Sequence, residues 1–271
     1  MIARCMTSRR PSTLPVAALA ALVCGCSAAT PQDPSGQSDD AIIGGVASGP
    51  DDNAVAVFGS PDGLGFCSGT LIAPNLVLTA KHCVRARAAA PRYSCTVPSI
   101  DVRELRPASS LTVLFGHDLS GAMESHAVSR VVDDGRLDLC DHDVAVLVLE
   151  TPVTSIAPRA VRNSTLARGE TLTAVGWGMT EFGFPDTRRK RSGVAVLPST
   201  TTGASAIGAN EILTSVAICR GDSGGPLFDR SGRVVSVVSR VRNGCAAGNG
   251  VHLLARSSVV LSVIERARTG R

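Results

Sequence analysis

Gly221-Asp222-Ser223-Gly224-Gly225-Pro226 is the stretch on which the reading of this chain turns. A serine set among glycines is most often a turn. Here three other stretches precede it in order: Ile42-Ile43-Gly44-Gly45, Leu78-Thr79-Ala80-Lys81-His82-Cys83 and Asp143-Val144-Ala145-Val146-Leu147. Around them lie short apolar runs broken by turn residues: 54–58, 70–72, 76–79, 111–115, 144–149, 171–175 and 234–238. Runs of this length rich in Val, Ile and Thr favour strands over helices. Repeated at short spacing, they predict an all-β barrel or sandwich. At the end Val259, Val260, Val263, Ile264 and Ala267 recur at helical spacing, so residues about 256–268 are expected to form a terminal helix.

Hydrophobic residues make up 44% of the 271, enough for a packed core and against general disorder. The net charge of +4 is too small and too scattered to argue for nucleic acid. The basic run, Arg188-Arg189-Lys190-Arg191, reads as a solvated strand edge or surface loop, with a processing site or anionic patch as the sharper alternative.

Residues 1–26 read as a leader. Arg4, Arg9 and Arg10 precede an apolar stretch, Leu14 to Val23, that is short for a membrane span. Val23-Cys24-Gly25-Cys26 resembles a lipoprotein signal, with Cys26 the lipidation candidate. Ordinary cleavage near Ala28 or Ala29 is the alternative. Both imply export, so the chain is expected to be secreted or anchored by a lipid in a bacterial envelope. Residues 27–41, rich in Ser, Pro, Gly and Asp, read as a propeptide or linker. Cys67, Cys83, Cys95, Cys140, Cys219 and Cys245 then remain. An even set in an oxidising compartment suggests three bridges among 15 connectivities. None has zinc spacing, and no metal or cofactor is expected.

The four motifs together resemble the trypsin/chymotrypsin family of serine peptidases, and the resemblance runs from Ile42 to the C-terminus, residues 42–271. It implies two six-stranded antiparallel β-barrels with a C-terminal helix. It also implies peptide-bond hydrolysis by Ser223 as nucleophile, His82 as base and Asp143 as the group orienting the imidazole. The chemistry of that triad is known for the family as a whole. Asp138 and Asp141 compete with Asp143, but only Asp143 heads an apolar run as the family pattern requires. The N–H groups of Gly221 and Ser223 would form the oxyanion hole. Asp222 would pair with the amino terminus freed by cleavage before Ile42.

By the same resemblance, Cys67 pairs with Cys83 and Cys219 with Cys245. Cys95 and Cys140 match no family bridge securely and are left to each other, pinning an insertion between His82 and Asp143. The specificity pocket maps to Ala217, Ile218, Ser239, Val241 and Gly250. Ala217 stands where trypsin-like members carry the Asp that binds Arg or Lys, and Val241 stands where Gly is frequent. A small apolar pocket is therefore expected. Arg240 replaces the usual aromatic. Ser239 is expected to reach Asp143. Trp177, in Gly176-Trp177-Gly178, is expected to serve packing, and His117, His126, His142 and His252 to be structural or exposed.

The residue before Ile42 is Ala41, which a trypsin would not cut but a small-pocket protease could. Self-activation and a separate protease are both open. Partners are protein or peptide substrates, and a monomer is expected. A binding protein on the same fold would usually lose a triad residue, and none is lost. An α/β-hydrolase esterase is disfavoured, because the hexapeptide is not that fold's Gly-x-Ser-x-Gly elbow.

Overall fold

The computed structural model describes residues 42, 45–59, 66–167, 169–179, 189–202, 206–215, 218–242, 244–245 and 249–270, with Phe66 described by its backbone. Cys26, the 27–41 segment, Ala217 and Arg188 lie outside the described residues. The strands in chain order are β1 (Val46–Ala47), β2 (Val55–Gly59), β3 (Phe66–Ala73), β4 (Leu76–Thr79), β5 (Arg85–Arg87), β6 (Val102–Leu105), β7 (Thr112–Phe115), β8 (Glu124–Asp133), β9 (Ala145–Leu149), β10 (Thr171–Gly176), β11 (Lys190–Leu197), β12 (Glu211–Thr214), β13 (Pro226–Phe228), β14 (Val234–Arg242) and β15 (Asn249–Leu254).

Six strands close the first barrel in the order β2-β3-β4-β9-β8-β7. The second barrel runs β11-β10-β13-β14-β15-β12 and closes through pairing of β12 with β11, while β1 adds to the outer edge of β11. Closure leaves no long sheet edge open to other chains. All pairings between these strands are antiparallel, as expected, and two isolated bridges, Val161 to Val234 and Thr200 to Ala206, are parallel. The alternation that predicts strands is visible in β8, where His126 and Val128 turn inward and Ser125, Ala127 and Ser129 outward.

The one α-helix among the described residues, α1 (Ser258–Thr269), departs from the expected bounds by a residue or two. Ser257 caps it by accepting from the Val260 N–H at 3.3 Å, and Gly270 ends it in the left-handed region at φ 75°. Its buried face is Val260, Val263, Ile264 and Ala267, and it packs on β8 and β9. The Arg130 guanidinium donates to the Ala267 carbonyl at 2.9 Å, placing a cation on the helix C-terminus. No described helix is long and apolar enough to cross a membrane.

The three disulfides are Cys67–Cys83, Cys95–Cys140 and Cys219–Cys245. The insertion between His82 and Asp143 is ordered around the fully buried Asp101. Its carboxylate accepts the N–H groups of Arg92, Tyr93 and Leu139 and the Ser99 hydroxyl, so one side chain satisfies a turn that has no ladder.

The reading of Arg188–Arg191 as a solvated edge needs correction at two residues: Lys190 is buried, paired with both Ala47 and Gly176, and so is Arg189. Its side chain is fully buried between the barrels. The guanidinium donates to Ser48 Oγ at 2.8 Å, to the Gly116 and Gly49 carbonyls at 2.5 and 2.7 Å, and to Asn53 Oδ1 at 3.1 Å. It also lies 6.0 Å from the Trp177 ring centroid. Burial pushes its pKa down to about 10, so it remains charged at neutral pH. A run of like charges looks solvated in one dimension; carbonyls from distant loops make this burial possible. Trp177 is buried, as expected, and its indole N–H donates to the Val55 carbonyl at 3.3 Å.

Candidate active site

The register of the first barrel brings two distant residues together. Thr79, the last residue of β4, pairs with Ala145, the first of β9. His82 follows β4 in a single 3-10 turn, Lys81–Cys83, and Asp143 lies two residues before the start of β9. The Asp143 carboxylate is fully buried. One oxygen accepts the His82 backbone N–H at 3.0 Å and the other meets His82 Nδ1 at 2.8 Å. This two-point contact fixes both the position and the plane of the imidazole.

The second barrel completes the support. The β14–β15 ladder slips between Val238 and Arg240, so Ser239 leaves the pairing. Such a bulge re-aims a side chain, and the Ser239 hydroxyl donates to Asp143 Oδ2 at 2.6 Å. Burial alone would push the Asp143 carboxyl up. The His82 ring, Ser239 and the His82 N–H outweigh it and hold the group below the usual carboxylate range.

Ser223 sits in the turn before β13 and lines one cavity with His82. That turn is held against the first barrel. The Ser68 N–H donates to the Ser223 carbonyl at 2.8 Å, and the Ser68 hydroxyl donates to the Gly221 carbonyl at 2.9 Å. Gly221 has φ +99°, and a Cβ there would meet Gly178 Cα at 2.7 Å, so only glycine fits. Among the described residues the N–H groups of Gly221 and Ser223 donate to no backbone carbonyl, and no hydrogen bond joins the Ser223 hydroxyl to the His82 ring. Two unspent donors beside a hydroxyl and an imidazole are what acyl transfer requires.

Asp222, between these two residues, is almost fully buried. Its two oxygens accept the Gly178 and Cys219 N–H groups at 2.9 and 2.8 Å. Gly178 is needed here too, since a Cβ would meet Asp222 Oδ2 at 2.4 Å. Burial pushes the carboxyl up to about 7, against the pull of the two N–H donors. Ile42 is fully buried in the apolar cluster of the second barrel, at φ +54°, an uncommon value for a β-branched residue.

The cavity has a volume of about 470 Å³. Ser239 and Val241 line it, whereas Ile218 belongs to the second barrel's apolar cluster. Gly250 is buried as the direct cross-strand partner of Val241. Its neighbour His252 is fully buried, bonded through Nε2 to Thr214 Oγ1 at 2.8 Å, with Nδ1 unpartnered. Burial, with the Arg240 charge adding to it, pushes His252 down to about 3, so it stays neutral. Of the other histidines, His126 and His142 are bonded to Glu124 and Asp134, and His117 is exposed. All four match their expected structural or exposed standing.

Sequence reasoning missed the pair behind the cavity wall. Arg240 makes a bidentate bond to the buried Glu211, at 2.6 and 2.7 Å. The Glu211 carboxylate also accepts the N–H groups of Gly208 and Asp141. Asp141, in the left-handed region at φ +63°, accepts the N–H groups of Ala209 and Asn210 in turn. The insertion carrying Cys95–Cys140 is thereby docked onto the second barrel. Arg240 stood out in the sequence as a departure, but its partner lies 29 residues away on another strand.

Two β-barrels joined at a buried Asp–His pair and a glycine-framed serine define a serine-hydrolase architecture. The profile of the Trypsin family matches residues 42–264, and the chain belongs to this family of serine proteases, which are hydrolases. It is 28% identical to Trypsin alpha-4 of Lucilia cuprina across 86% of the chain and 90% of that protein. It is 27% identical to a trypsin of Saccharopolyspora erythraea, across 76% and 88%. Serine protease SP24D of Anopheles gambiae is 30% identical across 67% of the chain, and the match spans only 64% of that protein.

Proposed function

We propose that this protein is an exported serine endopeptidase that cleaves after small apolar residues and is switched on by cleavage before Ile42. The observation that carries the reading is the Asp143 carboxylate, bonded at once to the His82 ring, the His82 backbone and Ser239, beside the cavity that His82 shares with Ser223. In this reading Ser223 Oγ attacks the scissile carbonyl carbon as His82 Nε2 takes its proton. The carbonyl π electrons move to oxygen, where the Gly221 and Ser223 N–H groups receive the charge. Collapse breaks the C–N bond, and His82 returns the proton to the leaving amine. Water then repeats the sequence on the ester. The missing Ser223–His82 bond closes on substrate binding, as is common in unliganded sites.

Val241 lines the cavity with Ser223, and no acidic residue is among its described lining, which disfavours Arg or Lys before the scissile bond. The activation reading rests on Asp222, a buried carboxylate without a cation among the described residues, which a free α-ammonium at Ile42 would satisfy. The leader (1–26), propeptide (27–41) and peptidase domain (42–271) follow from this scheme, as do export and either release or a lipid on Cys26. We take the mature form to be a monomer that needs no cofactor or metal. The test is labelling by a fluorophosphonate. Label on Ser223, absent in Ser223→Ala and His82→Ala, is expected; no label on the chain cleaved before Ile42 overturns the proposal in favour of a non-catalytic binding protein.

A further inference from the structure

The cavity around His82 and Ser223 carries an unusual charge. Four of its described lining residues are Arg87, Arg220, Arg240 and Arg242, and none is Asp or Glu. They are not equivalent. The Arg240 charge is spent on Glu211, and Arg242 has interactions of its own. Arg87 and Arg220 are exposed, and neither has a carboxylate partner among the described residues.

The two come from opposite sides of the cleft. Arg220 belongs to the second barrel, one residue from Gly221, and its carbonyl is held by the Met179 N–H at 2.6 Å. Arg87 ends β5, which pairs with β6 in the insertion. That ribbon is anchored by Arg85, whose guanidinium grips Asp133 at 2.5 and 3.1 Å and the Arg103 carbonyl at 2.7 Å. Both backbones are thus fixed, and both guanidinium groups are available. Concentrated positive charge in a concave site attracts an anionic partner.

The chain itself contains such a partner. Ser38-Asp39-Asp40-Ala41 directly precedes Ile42, so two carboxylates stand next to the small residue at the proposed activation bond. From this complementarity we infer that the cleft selects peptides carrying Asp or Glu at the two or three positions on the amino side of a small residue, through Arg87 and Arg220. The chain's own 38–41 segment is the built-in example, which favours self-activation over a separate protease. This inference rests on the endopeptidase reading.

The test compares two chromogenic anilides, Ser-Asp-Asp-Ala and Ser-Asn-Asn-Ala, on the protein cleaved before Ile42. An exposed charge pair is worth a factor of a few, so two give about fivefold to tenfold higher kcat/KM for the acidic peptide at about 50 mM salt, mostly in KM. At about 1 M salt, where screening reaches ~3 Å, the ratio falls toward one. The double variant Arg87→Gln/Arg220→Gln abolishes the preference, and Arg87→Lys/Arg220→Lys keeps most of it. A merely structural role would instead lower both peptides alike and leave the ratio unchanged. An acidic-to-neutral ratio of one at low salt overturns this inference alone, and cleavage of neither peptide by a protein that a fluorophosphonate labels overturns it together with the preference for a small residue. Absence of both labelling and cleavage overturns the endopeptidase reading with it.

Discussion

Replacing Asp222 by Asn in the uncut chain tests whether a buried charge is waiting for its partner. With residue 41 still attached, no α-ammonium exists at Ile42, and burial holds the Asp222 carboxyl near 7 against an ordinary 3.8. The native state therefore binds this proton more tightly than the unfolded chain does. Stability is untouched below about pH 4, falls as pH rises toward 7, and is level above it. The gap of about three pH units corresponds to ~4 kcal/mol at high pH, of which roughly 2–3 kcal/mol is lost between pH 5 and pH 8. Asn cannot ionise but offers one acceptor oxygen for two N–H donors, which costs about 1–3 kcal/mol at every pH. In the Ser223→Ala chain, which cannot cut itself, Asp222→Asn should therefore be about neutral to mildly destabilising at pH 5 and stabilising by about 1–3 kcal/mol at pH 8. Urea unfolding at the two pH values measures this. After cleavage the sign reverses: the α-ammonium of Ile42 favours the carboxylate, and Asp222→Asn should cost stability and nearly all activity at pH 8. An identical pH dependence of unfolding in the two uncut chains would refute the reasoning.

Ser239→Ala removes the 2.6 Å bond to Asp143 and should lower kcat about tenfold with KM little changed, read by steady-state kinetics on a neutral peptide. Arg240→Ala leaves the Glu211 carboxylate buried and unpaired and should cost about 3–5 kcal/mol in urea unfolding, whereas Arg240→Met with Glu211→Leu should recover most of it. Cys95→Ala with Cys140→Ala opens a loop of 45 residues' separation; chain entropy sets the loss near ~4 kcal/mol, and a melting temperature unchanged from the parent would show that the insertion is held by Asp101, Asp141 and Glu211 alone.

How much of this was legible in one dimension depends on how far each interaction reaches. The strands were readable because β-branched runs and turn residues act locally, and the helix because its apolar face repeats within a few residues. His82, Asp143 and Ser223 could be singled out through the family resemblance because each sits in a short motif, and their catalytic roles remain the proposal made above. Gly221 illustrates why: its φ of +99° and the close approach of Gly178 forbid any side chain, so the motif is spelled out in the sequence itself.

The sequence by itself therefore determined the strand-rich class, the terminal helix, the order of the motifs and the set of six cysteines, and the two barrels came through the family resemblance that those motifs carry. Tertiary structure alone decided which distant groups met. A bulge in β14 turns Ser239 onto Asp143. Carbonyls from two loops bury Arg189, which the sequence had placed in solvent. Glu211 cancels Arg240 and leaves Arg87 and Arg220 without a carboxylate partner among the described residues of the cleft. The reason is physical: whether a charge is buried, cancelled or available depends on groups brought near by the closing of a barrel, and their spacing along the chain does not record it.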